Sequence, residues 1–218
     1  MVARDAVGNS GPARTRTVRV VTLLGSVAAS AKLIYPQDND RFARSTTLSF
    51  KLSRPGTVTW QIRDAANNVV ITHLDGVSLP AGSQSWLFDG RRPDGTMLPV
   101  GVYTSSVSAT DGTYAWAQST KVELNAFSIT PSTTTPKRGS KLTITAVTAE
   151  PLSGNVSLYV TQPGLSTYIL SMSRINSTTW RLTFTLKSAG TAGTLKLKVW
   201  AKDADGRSQA TLRNLTLK

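Results

Sequence analysis

The sequence predicts an all-β chain of tandem immunoglobulin-like β-sandwiches, on three observations. Apolar residues alternate with Thr and Ser, the two-residue period of half-buried strands, and helical periodicity is nowhere convincing. Hydrophobic residues make up 39% of 218, enough for one or two domains of roughly 100 residues, each with its own core. Third, one hairpin signature recurs: "VARDAVGNSGPARTRTVRV" from Val2, "VSATDGTYAWAQSTKVEL" from Val107 and "VWAKDADGRSQATLRNLTLK" from Val199. Each has Ala, one residue, Asp, a Gly-bearing turn and a closing run rich in Thr, Val or Leu. The markers Asp5, Asp111 and Asp203 are 106 and 92 residues apart. That interval suits a seven-stranded sandwich of about 100 residues and not a solenoid repeat of about 20–50.

Taken in chain order, residues 1–22 read as the terminal hairpin of a preceding immunoglobulin-like domain, because the other copies of the signature close domains. Residues 23–32 read as a linker. A rival reading makes the same stretch a secretory signal: Arg14, Arg16 and Arg19 as a basic region, a short apolar run, then Ala29-Ser30-Ala31 as a cleavage site. Against it stand the Thr and Gly inside a short apolar run, which is also far below the roughly 20 residues of a membrane-spanning helix.

Residues 33–125 form the first complete domain. "TTLSFKL" puts Leu48, Phe50 and Leu52 on one face, and "TVTWQIR" does the same with Val58, Trp60 and Ile62. Arg54-Pro55-Gly56 turns between them, and Asn67-Asn68 turns before "VVIT". Residues 126–218 form the second domain, opening with "NAFSITPSTTTPKRGS" as a short stiff connector or a first edge strand. Its inward positions are Leu142, Ile144 and Ala146; Val156, Leu158 and Val160; Trp180, Leu182, Phe184 and Leu186; and Leu195, Leu197, Val199 and Ala201.

From Leu79 to Gly112 the chain reads "LPAGSQSWLFDGRRPDGTMLPVGVYTSSVSATDG". Its elements are Ala81-Gly82, the aromatic pair Trp86 and Phe88, Asp89-Gly90, Asp94-Gly95, Pro99, and Gly101-Val102-Tyr103. In these it resembles the immunoglobulin-like domain of the flagellar hook-capping family, the FlgD type. Upstream, "IRDAANNVV" resembles that family's strand, turn and strand, and "YPQDNDRFARSTTLSF" a degenerate form of the Ser-Pro-Asn-Gly-Asp-Gly segment ahead of such domains. The resemblance spans about residues 33–125 and implies a noncatalytic module in an exported bacterial protein, extracellular or at the cell surface. It does not carry a flagellar role, since fold does not imply function.

Chemistry is sparse. The chain has no cysteine, which excludes disulfides and thiolate metal sites. No HExxH, Walker or dinucleotide motif appears, so no cofactor is expected. The one histidine, His73, ends a predicted strand. Asp89 and Asp94 could act as a carboxylate pair, but each precedes Gly, as do Asp75, Asp111 and Asp205, and Asp-Gly shapes turns. Arg91 and Arg92 between them favour ionised carboxylates over a raised-pKa acid. Asp38, Asn39 and Asp40 are a weak calcium candidate, clustered hard oxygens followed at once by Arg41.

Net charge is +13, unevenly spread: residues 126–218 hold twelve Lys and Arg against three acids. These cations stand singly along strands with no RNA-binding signature, so specific nucleic-acid recognition is not expected. In "TLKLKVWA", Lys196, Lys198 and Trp200 point outward if Leu195, Leu197 and Val199 point in. The penultimate strand of such a sandwich lies between the third and the last, so Tyr159 and Arg213 are expected to join that outer face. Two aromatics among three cations suit an anionic cell-envelope polymer. The sequence therefore reads as structural modules spacing upstream domains of the same polypeptide. Alternatives are an adhesive module for anionic polysaccharide, or the accessory end of a secreted hydrolase with its catalytic domain upstream.

Overall fold

A computed structural model describes residues 6–8 and 22–218 and shows two β-sandwiches in series. The hairpin expected at 1–22 lies outside the described residues except for 6–8, a turn, and Thr22.

The first sandwich begins earlier than the sequence suggests. Residues expected to be a linker form β1 (Leu24–Ala29), which pairs antiparallel with β3 (Thr46–Leu52). Leu23 and Leu24 are wholly buried in the core, so 23–32 is an integral edge of the domain. The register shifts between Gly25 and Ala28, with Ser26 at φ 55°. That bulge breaks the two-residue period and hides the strand from pattern reading.

On its other side β3 pairs with β6 (Gly82–Phe88), completing a three-stranded sheet. The facing sheet runs β2 (Leu33–Ile34), β8 (Ala115–Leu124), β7 (Gly101–Thr110), β4 (Gly56–Arg63) and β5 (Val69–Leu79). The short β2 runs parallel to β8, the others antiparallel. Between the sheets Trp60 on β4 meets Phe50 edge-on at 5.0 Å, and its indole Nε1 donates to Ser105 Oγ at 2.8 Å. A large aromatic thus fills the core without leaving its one donor unpaired.

The second sandwich starts after only Asn125 and Ala126. The stretch "NAFSITPSTTTPKRGS" contributes an edge strand, β9 (Phe127–Pro131), and not a free connector. One sheet orders β13 (Ser173–Arg174), β14 (Thr179–Thr185), β10 (Lys141–Thr148) and β9; the other β12 (Tyr168–Ser171), β11 (Ser157–Thr161), β15 (Gly193–Lys202) and β16 (Ser208–Leu217). This is the immunoglobulin arrangement, with the penultimate strand between the third and the last. Leu142, Ile144, Leu158, Val160, Leu195, Leu197 and Val199 are fully buried from alternate positions of facing strands.

Candidate functional site

The Asp-Gly turns of the first sandwich are built as local hydrogen-bonding devices. Asp89 Oδ1 accepts from the Arg91 amide at 3.0 Å. Asp94 Oδ1 accepts from the Thr96 amide at 2.9 Å and its hydroxyl at 2.6 Å. These bonds, the Thr96 hydroxyl first, hold the Asp94 carboxyl below its ordinary value, opposite to what a general acid at neutral pH requires. Trp86 and Phe88 pack together at 5.3 Å, and His73 stacks on Trp86 at 4.1 Å with rings nearly parallel. Burial there lowers the His73 pKa. Gly101 opens β7, and two residues on Tyr103 donates its hydroxyl to the Pro99 carbonyl at 2.8 Å. That is a tyrosine corner, a tie at the start of the penultimate strand.

On the second sandwich, β15 lies between β11 and β16. Lys196, Lys198 and Trp200 alternate with buried Leu195, Leu197, Val199 and Ala201, and Tyr159 pairs with Lys198. The Lys198 ammonium sits 4.2 Å from the centre of the Tyr159 ring. Beside them Thr161, Thr167, Lys196 and Leu212 close a shallow cavity of about 210 Å³. Arg213 is not part of this face. The β15–β16 register is unbroken over ten residue pairs and sets Arg213 opposite Leu197, on the inward parity, although its side chain escapes to solvent. Leu212, 71% exposed, takes the outer position opposite Lys198.

The junction between sandwiches gathers the densest chemistry. Asn125 donates its amide to Ile34 O at 2.9 Å, and its Oδ1 accepts from the Thr211 hydroxyl at 2.5 Å. Thr211 Oγ1 in turn accepts from the Phe127 amide at 3.0 Å. Tyr35, from the first sandwich, packs on the core of the second. Next to it four carboxylates converge: Asp38 and Asp40 from the turn after β2, Glu150 from the loop after β10, and Asp203 from the hairpin closing β15 and β16. Each offers an oxygen, and the four oxygens lie within 4.8 Å of one another.

Of the expected calcium triple, then, Asp38 and Asp40 belong to a cluster of carboxylates, and Asn39 between them is the left-handed residue that ends a 3-10 turn. Glu150 and Asp203 were missed because they lie more than a hundred residues away in sequence. The one available signal was that Asp203 is a marker of the recurring hairpin. Burial, and then the charges of Asp38 and Asp40, push the Glu150 pKa up to about 8. Burial and Asp40 likewise raise that of Asp38.

No curated protein matches the chain. Among solved structures, the chain is similar over its whole length to a tetra-tandem repeat in the extending region of a large adhesion protein, at 19% identity and a TM-score of 0.36, and spans 55% of that structure's length. Among the described residues no helix is long and apolar enough to cross a membrane. The family model of the FlgD Ig-like domain matches residues 38–113, the stretch that holds the Asp-Gly turns and the tyrosine corner, and this part of the chain is an FlgD-type Ig-like domain.

Proposed function

We propose that this chain is a noncatalytic structural module of an exported bacterial protein, two sandwiches in series that space or present the rest of the polypeptide outside the cell. The observation that carries this reading is the junction. Only Asn125 and Ala126 separate β8 from β9, and Asn125 is bonded to both sandwiches. A passage this short, with side chains packed across it, suits a stiff spacer better than beads on a flexible string. Small-angle scattering of the whole chain tests it. The expected profile is that of one extended, rigid particle; a profile needing an ensemble of interdomain angles would overturn the reading.

A second reading, adhesion to an anionic envelope polymer, is favoured by the Tyr159, Lys196, Lys198 and Trp200 face and the cavity beside it. Aromatic faces stack on sugar rings while ammonium groups attract phosphate or carboxylate. Binding of the protein to teichoic acid across a salt series should weaken with salt, with Trp200→Ala and with Lys196→Glu/Lys198→Glu. Binding insensitive to both variants would remove this face from consideration.

A further inference from the structure

We propose that Asp38 and Asp40 of the first sandwich and Glu150 and Asp203 of the second bind one calcium ion, which ties the two sandwiches together at their junction. Four of the chain's twelve acidic residues meet here, in a protein whose net charge is +13. The second sandwich, the most basic part of the chain, has only three acids, and all face the first: Glu150 and Asp203 in the cluster, and Asp205 bonded to Arg41 at 2.9 Å. Such convergence against the overall charge is costly unless bound protons or a cation compensate it.

Protein groups do not supply that compensation. Among the described residues none of the four carboxylates makes an ion pair, and the cation whose field reaches Asp38 is Arg207. Asp38 Oδ1 accepts from the Asp40 amide at 3.4 Å, and the other three each hold one oxygen by a hydrogen bond: Asp40 Oδ1 from the Phe42 amide, Asp203 Oδ1 from the Arg207 amide, and Glu150 Oε2 from Gln209 Nε2. The other oxygen of each, Asp40 Oδ2, Asp203 Oδ2 and Glu150 Oε1, is buried with no protein partner. Glu150 is 2% exposed and Asp203 0%. Independently of the acids, Gln209 is 2% exposed, lies against Glu150 through its amide nitrogen, and keeps a buried, unpartnered Oε1. Buried acceptors without donors are what a cation site presents before its ion is counted.

The donor set and its size select the ion. All the donors are hard oxygens, which suits calcium or magnesium and not zinc or copper. Oxygens on opposite sides of an ion lie two bond lengths apart, about 4.6–5.2 Å for calcium and about 4.0–4.2 Å for magnesium. A spread of no more than 4.8 Å lies within the calcium range, and a site built from several carboxylates, with few places left for water, suits calcium better than magnesium, which keeps several of its waters. Carboxylates that bind through both oxygens, the Gln209 amide oxygen and water would complete the six to eight ligands.

The test is calorimetric titration of the whole chain, stripped with EDTA, with calcium chloride. The expected result is one ion per chain, magnesium at least about ten-fold weaker, and a rise in Tm of about 5–10 °C at hundred-fold excess over Kd, reversed by EDTA. Asp38→Asn and Asp203→Asn, one from each sandwich, should each weaken calcium at least about ten-fold, while Asp205→Asn, outside the cluster, should not. Absence of saturable binding and of a Tm shift in the unaltered chain would overturn the proposal, whatever the variants do. So would binding that survives both Asp38→Asn and Asp203→Asn. The two readings fail separately: a chain that flexes in scattering when stripped with EDTA and becomes rigid when loaded with calcium would defeat a junction stiff by itself and leave the ion, whereas a rigid chain that binds no calcium would leave the spacer and defeat the ion.

Discussion

The Thr211 hydroxyl lies 2.5 Å from Asn125 Oδ1 and accepts the Phe127 amide at 3.0 Å, so one small side chain on the last strand holds the passage between the sandwiches. Thr211 is nearly buried and Phe127 completely so. Thr211→Val keeps the shape and removes both bonds, leaving a buried amide unsatisfied. The expected loss in urea unfolding is about 1–3 kcal/mol, with most of it recovered by Thr211→Ser.

Tyr103→Phe should cost on the order of 1 kcal/mol, since the ring stays buried and only the bond to Pro99 O is lost. The comparison to make is with Tyr114→Phe. Tyr114 is 66% exposed, so its Tm should be unchanged.

Gly90→Ala should be worse than Gly95→Ala. Both glycines have positive φ, +75° and +82°, so both variants are strained. A Cβ on Gly90 would also come within 2.9 Å of Leu124 Cδ2 and 3.0 Å of Pro36 Cγ, at the end of the sandwich facing the junction, whereas a Cβ on Gly95 meets open space. Thermal denaturation of the two variants should rank Gly90→Ala lower, by more than about 1 kcal/mol from the unaltered protein.

Asp111 is bonded by Arg54 and by the amides of Tyr114 and Thr113, which hold its carboxyl at about 2 against an ordinary 3.8. A depressed folded-state pKa stabilises the protein above the unfolded value and ceases to do so below the folded one. The Asp111 contribution should therefore be complete above about pH 4 and fade as pH falls toward 2. Comparing Tm across that window, Asp111→Asn should be less stable at neutral pH and converge on the parent at the acid end.

Where the two-residue period is unbroken, it revealed the fold directly. Leu48, Phe50 and Leu52, or Leu195, Leu197 and Val199, face inward because a strand's side chains alternate whatever its neighbours are, and these are buried. Lys196, Lys198 and Trp200 follow by the same parity. Arg213 does not, because its side depends on register with β15, and the unbroken ladder sets it opposite inward-facing Leu197. Residues 23–29 were illegible for the converse reason: their strand carries a real bulge at Gly25 to Ala28, and its hydrogen bonds come from β3, some twenty residues on.

The sequence alone determined that this chain is all-β and built from sandwiches, which strand faces are buried, where the Asp-Gly turns fall and which part is FlgD-like. These are properties of local period and turn chemistry. Only the tertiary structure decided that the two sandwiches abut without a free linker and that Asp38, Asp40, Glu150 and Asp203 share one small space. Loops 110 to 165 residues apart have no local pattern in common; they meet because each ends a strand at the same end of its sandwich, and the two-residue passage through Asn125 and Ala126 brings those ends together.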